Sequence, residues 1–171
     1  MATDLTRIGQ KARKEPKLVF TNLFHHVYDV DTLRACFDSL DANKATGLDG
    51  VTKQEYGQNL EANLQDLSNR LKRMGFRPGA KRRSYVPKPG TTKGRPLGIS
   101  NLEDKIVEQA VKRVLEPIYE SMFEASSYGY RPQSSPHKCL DVLGRTIQQK
   151  CVNYVVESDV RSFFDKVNHK W

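Results

Sequence analysis

Leu60, Leu64, Leu67 and Leu71 fall four, three and four residues apart, which lines one face of an α-helix. Thr52 and Glu55 precede them with capping-box spacing, so one helix is predicted from Lys53 to near Gly75, its leucines in the core. Upstream, Phe20, Leu23, Phe24 and Val27 share a helical face beginning at Leu18, and Leu33, Phe37 and Leu40 continue the pattern. The stretch NKATGLDGVT interrupts it with two glycines and an Asp-Gly pair, which is turn chemistry, and predicts a loop. Tyr85 and Val86 on one arm and Leu97 and Ile99 on the other flank a Pro-Gly-rich tip and predict a β-hairpin.

Asn101 as N-cap, with Asp104 at the third helical position, opens a helix carrying Ile106, Val107, Ala110, Val111 and Val114. Pro117 is expected to reset it, IYESMFEA following as a short helix. After the loop SSYGYRPQSSP, Ser135 and Pro136 read as N-cap and first helical residue, with Cys139, Leu143 and Ile147 as a core face. Asn153 to Val160 reads as a strand, Val155 and Val156 buried. The fold class is therefore α+β: a mostly helical lobe, a hairpin, and one strand of a sheet still to be completed.

Charge adds a partner to this picture. Lys and Arg number 28 against 20 Asp and Glu, a net charge of +8, which points to a polyanion and, for a protein of this kind, to nucleic acid. Residues 1–17, with Arg7, Lys11, Arg13, Lys14 and Lys17, read as a flexible basic arm. No long apolar run suggests a membrane span, and the N-terminus lacks the apolar core of a signal peptide, so a cytoplasmic location is expected. Cys36, Cys139 and Cys151 have no C-x-x-C spacing and the four histidines are scattered, which suggests neither a disulfide framework nor a zinc site.

Candidate chemistry lies in three places. Asp159 ends the predicted strand, where a carboxylate either pairs, binds a cation, or caps the turn into the next helix. Lys88 and Arg95 flank a glycine-bearing tip that also holds Lys93, which suits a triphosphate or, equally, an ordinary solvated basic turn. GYRP offers one arginine, Arg131, in what is otherwise a turn.

The order of these segments carries a resemblance. KATGLDGVT, YVPKPGTTKGRPLGISNLEDKIVEQAV, SSYGYRPQSSPHKCL and ESDVRSFFDKVNH resemble, in that order, the loop ahead of the fingers and the first three polymerase motifs of group II intron reverse transcriptases, also called maturases. The likeness covers about residues 18–171, with small departures at Ser100, Glu108 and Gln109. It implies fingers over 18–150 and the start of a polymerase palm over 151–171.

Residue by residue, the resemblance implies that Asp159 and the carbonyl of Val160 hold Mg²⁺, two ions in the complete enzyme. Lys88 and Arg95 would grip the incoming nucleotide, and Phe164 would exclude a ribose hydroxyl, with Phe163 as its substitute. Gly129 and Arg131 would line the template path, and Lys81, Arg82 and Arg83 would bind RNA, while Asp165 caps a helix. The partners implied are intron and template RNA, a DNA primer and a deoxynucleoside triphosphate. The later aspartate hairpin of the family has no counterpart in these 171 residues, so the chain alone is expected to be inactive. Two other readings stay open: a non-catalytic RNA-binding module, and one half of a split polymerase whose C-terminal half arrives in trans.

Overall fold

The computed structural model describes residues 2–87, 90, 94–163, 166–168 and 170. The chain divides into two units, Met1–Phe123 and Glu124–Trp171. In the first, helices α1 (Ala2–Lys14), α2 (Phe24–Val27), α3 (Val30–Ser39), α4 (Lys53–Gly57) and α5 (Leu60–Lys72) lead into a hairpin of β1 (Arg82–Pro87) and β2 (Gly94–Ile99) and then α6 (Leu102–Glu120). The protein is of the α+β class.

α6 is the central helix. Leu102, Ile106, Ala110 and Val114, four residues apart, form a buried row, and α1, α2 and α3 pack around the helix. Leu33, Cys36 and Phe37 from α3 and Leu64, Leu67 and Leu71 from α5 complete the same core. Burial pushes the Cys36 thiol above its ordinary value. At the core's edge Arg70 makes two 2.8 Å bonds to the Glu103 carboxylate, and the Tyr56 hydroxyl donates to the same group at 3.1 Å. Burial, reinforced by the Glu103 charge, raises the Tyr56 phenol.

Local signals place several boundaries. The Thr52–Glu55 capping box forms in full, and its bonds from Thr52 hold the Glu55 carboxyl below the usual range. The helix predicted from that cap is nevertheless two helices, because the chain leaves helical geometry between Gly57 and Leu60. Asn63 ties the break by donating to the Tyr56 carbonyl at 2.9 Å. α5 closes when the Gly75 amide bonds the Arg70 carbonyl at 2.8 Å and that of Met74 bonds Leu71 at 2.9 Å. The left-handed residue this closure requires is Met74, at φ 58°, one position before the glycine.

Three further expectations need correction in this unit. Residues 2–14 form a helix instead of a flexible arm: Leu5, Ile8, Gly9 and Ala12 recur at helical spacing, Ala12 is buried, and α1 lies against α6. The predicted helix from Leu18 begins only at Phe24. α6 passes through Pro117 without a reset, the ring meeting α1 at Gly9, where an added Cβ would stand 3.0 Å from the Pro117 Cβ. The absent side chain makes room for the proline.

The hairpin is antiparallel, with Arg82 opposite Ile99, Ser84 opposite Leu97 and Val86 opposite Arg95. Among its described residues only Ser84 and Ile99 are partly buried. Pro96 is tolerated because each strand of a two-stranded sheet has an open edge.

The second unit carries α7 (Pro136–Gln149), started by Ser135, whose hydroxyl accepts from the Lys138 amide at 3.2 Å. Its expected core face is not met, since no residue of α7 is buried and Leu143 and Ile147 are nearly half exposed. The strand expected over Asn153–Val160 is absent as well: the described residues there form no ladder, and Tyr154, Val155 and Val156 are exposed. Spacing in a sequence defines which face can be covered; it does not supply the partner. No helix among the described residues is long and apolar enough to cross a membrane.

Two stability measurements check this account. Leu67 is wholly buried, so Leu67→Ala should cost about 2–5 kcal/mol in urea unfolding, whereas Leu143→Ala should cost less than about 1 kcal/mol. Equal losses would place Leu143 in a core. Because Met74 holds a left-handed backbone while its side chain is two-thirds exposed, Met74→Gly should stabilise by up to about 1 kcal/mol, and a clear loss would contradict the cap geometry.

Candidate nucleic-acid and nucleotide site

The hairpin and the segment feeding it concentrate exposed cations. Lys72, Arg73, Arg77, Lys81, Arg82 and Arg83 are all exposed between the end of α5 and β1. They are not equivalent. Arg77 donates to the carbonyls of Met74 and Phe76 at 3.0 and 2.9 Å, and Lys81 pairs with Glu108 at 3.3 Å, so these two also serve the fold. Arg82 and Arg95 project from the same face of the hairpin, because Arg95 lies opposite Val86, which is an even number of positions along β1 from Arg82. Arg83 projects from the other face. Lys88 lies outside the described residues, and Gly90 takes φ +75° at the tip, a conformation that favours glycine.

Arg131 has a local task. Its guanidinium donates to the carbonyls of Glu124 and Ser127 at 2.8 and 2.9 Å and so closes the turn that carries Gly129. Gly129 is exposed, with open space where a Cβ would be. Tyr130, at φ 57°, projects fully into solvent.

Asp159 and Val160 lie in the irregular exposed stretch before the turn at Arg161 to Phe163. A carboxylate and an adjacent carbonyl are hard oxygen donors of the type Mg²⁺ takes. They fit that ion in kind but fall short in number, for no three His, Cys, Asp or Glu side chains gather as a ligand group among the described residues. Phe164 and Asp165 lie outside the described residues, and Phe163 is half exposed. Arg95 belongs to the first unit, and Gly129, Arg131, Asp159 and Val160 to the second.

The role of one residue differs from the one its spacing predicts. Asn101 has the position of a helix cap, yet its side chain makes no capping bond. It accepts instead from the Leu48 amide at 2.9 Å, 53 residues away. Gly47, buried against it, was the available signal, but a glycine in a turn-rich stretch looks like turn chemistry alone.

Residues 86–171, half of the chain, match the family model described as reverse transcriptase (RNA-dependent DNA polymerase). The chain is 32% identical over 165 residues to the group II intron-encoded protein LtrA of Lactococcus lactis subsp. cremoris, covering 96% of this chain and 27% of LtrA. It is 38% identical over 131 residues to protein YkfC of Escherichia coli K12, 72% of this chain and 33% of that protein. To nuclear intron maturase 1, mitochondrial, of Arabidopsis thaliana it is 30% identical over 124 residues, 61% of this chain and 17% of the relative. It thus spans about a third or less of the length of these curated relatives. The ordered motifs, the basic hairpin and these matches lead to one assignment: the chain belongs to the reverse transcriptase (RNA-dependent DNA polymerase) family.

Proposed function

We propose that these residues serve RNA-directed DNA synthesis of the group II intron type, with binding of intron and template RNA. The observation that carries the reading is the exposed hairpin, with Arg82 and Arg95 on one face, rooted in an exposed basic segment and lying largely within the stretch matched by the family model. Lys88 and Arg95 would hold the phosphates of an incoming nucleotide, replacing water around developing negative charge. Lys81, Arg82 and Arg83 would contact RNA phosphates, and Gly129, with no side chain, would let a template backbone approach the turn that Arg131 closes. Asp159 and the Val160 carbonyl would hold Mg²⁺, which when bound supplies charge neutralisation at the transferring phosphoryl group. Phe164 would leave no room for a ribose hydroxyl and so favour deoxynucleotides by steric exclusion. The 171 residues alone are expected not to extend a primer, since Asp159 stands without gathered carboxylate partners among the described residues.

A second reading, an RNA-binding module without catalysis, is favoured by that same ungathered donor set beside a well-formed basic surface. Both readings require RNA binding. Binding of the chain to a hairpin RNA should weaken by orders of magnitude between about 50 and 200 mM salt, and Arg82→Ala with Arg83→Ala should lower the slope of log affinity against log salt by about two. A flat salt response would remove both readings.

Primer extension separates them. With residues 18–171 grafted in place of the matching segment of the Lactococcus relative, Asp159→Ala should abolish DNA synthesis. In that graft Phe164→Ala should raise ribonucleotide incorporation relative to deoxyribonucleotide in single-nucleotide kinetics. Synthesis that survives Asp159→Ala would overturn the metal assignment, and an unchanged sugar ratio would move the contact to another residue.

A further inference from the structure

The hairpin covers little of the protein and is covered by little. Such a ribbon is marginal by itself, and its direction is set where its two strands leave the body. Both roots converge on the start of α6. The incoming root runs through Gly79 to Lys81 and the outgoing root through Ser100 and Asn101.

The two roots are tied there by four groups of contacts. The Gly79 amide donates to the Asp104 carboxylate at 3.2 Å, and Asp104 is buried. Lys81 and the Ser100 hydroxyl meet the same Glu108 oxygen at 3.3 and 3.0 Å. The Asn101 carbonyl oxygen accepts from the Leu48 amide at 2.9 Å, with the Asp49 amide at 3.5 Å, and Lys105 donates to the Ala45 carbonyl at 2.7 Å. Finally, two glycines press on Asn101: an added Cβ on Gly47 would fall 2.5 Å from its Cα and 2.7 Å from its nitrogen, and one on Gly79 would fall 3.4 Å from its Cγ and closer still to its Nδ2. The Asn101 side chain is therefore shared between the loop at 45–49 and the incoming root of the hairpin. The contact asks for a short side chain that carries an acceptor.

We infer that Asn101 is a positioning residue: it locks the 45–49 loop and both roots of the hairpin onto the first turn of α6, so that the hairpin cations meet RNA from a fixed direction. The inference rests on the RNA-binding reading above for its consequence, but not for the clamp itself. Nothing in the arrangement requires Asn101 to touch RNA. Its loss should lower affinity by loosening the platform that carries the charges, while every phosphate contact remains available.

The experiment compares the unmodified chain with Asn101→Ala and Gly47→Ala, the first deleting the acceptor and the second forcing the loop away from it. Hydrogen exchange at the Leu48 and Asp49 amides should quicken about tenfold in each, the scale of one lost hydrogen bond, while the thermal midpoint falls by less than about 5 °C. Affinity for a fluorescein-labelled hairpin RNA should fall several-fold with the salt slope unchanged. Asn101→Asp, which keeps the acceptor, should retain most of the amide protection. Unchanged exchange at Leu48 in Asn101→Ala, faster exchange with RNA affinity unaltered, or a salt slope lowered by about one would each overturn the inference. If the unmodified chain binds no RNA, the functional reading falls, and exchange at Leu48 still decides whether the clamp exists.

Discussion

The first turn of α6 is the point on which the first unit depends. Four of its residues each hold something different: Asn101 the 45–49 loop, Glu103 the Arg70 and Tyr56 side chains, Asp104 the Gly79 amide, and Lys105 the Ala45 carbonyl. A buried carboxylate such as Asp104 is costly unless its oxygens are bonded, so the chain at Gly79 is held where it can donate. Below this turn the row Leu102, Ile106, Ala110 and Val114 supplies apolar burial. Burial of that kind is strong but has no direction. The polar turn above it decides which loops sit where.

The same turn shapes the charge distribution. The net charge of +8 is a property of composition, yet its placement follows from the fold. Several acidic side chains are used as ties: Glu103 to Arg70, Glu108 to Lys81 and Ser100, Glu61 to Arg34, and Glu55 to its own helix cap. The Arg34 hydrogen bond holds the Glu61 carboxyl below its ordinary value. Acids engaged in this way contribute less to the outward field than exposed bases such as Arg82 and Arg83. A hairpin bearing cations therefore projects from a root at which Glu103, Asp104 and Glu108 are engaged in structural contacts.

What was legible in the sequence was local. Thr52 with Glu55 and Ser135 with Pro136 specify helix starts because the bonding partners lie within one turn, and the hairpin is specified by its alternating arms and its tip. Asn101 shows the limit. Its spacing to Asp104 is that of a cap, but an amide 53 residues upstream takes the acceptor, and no local pattern reveals that competition. Pro117 likewise lies inside α6, and its close approach to Gly9 on another helix is a tertiary contact that no local pattern reveals. The apolar stripes at Leu143 and at Val155 and Val156 were legible as faces, whereas whether any partner covers them is a tertiary fact.

These differences bear on function through rigidity. A group that must act on a reacting bond needs its geometry fixed by packing and by supporting hydrogen bonds, whereas a group that neutralises phosphates tolerates looser placement. Arg95 stands on a paired strand whose roots are tied into α6, with Leu102, Ile106 and Ala110 buried beneath. Asp159 stands in an exposed irregular stretch, and the helix of its own unit buries no residue. The RNA contact proposed for the hairpin asks only for this looser placement. The metal-dependent chemistry proposed for Asp159 would need its carboxylate held in place, which an exposed irregular stretch does not do.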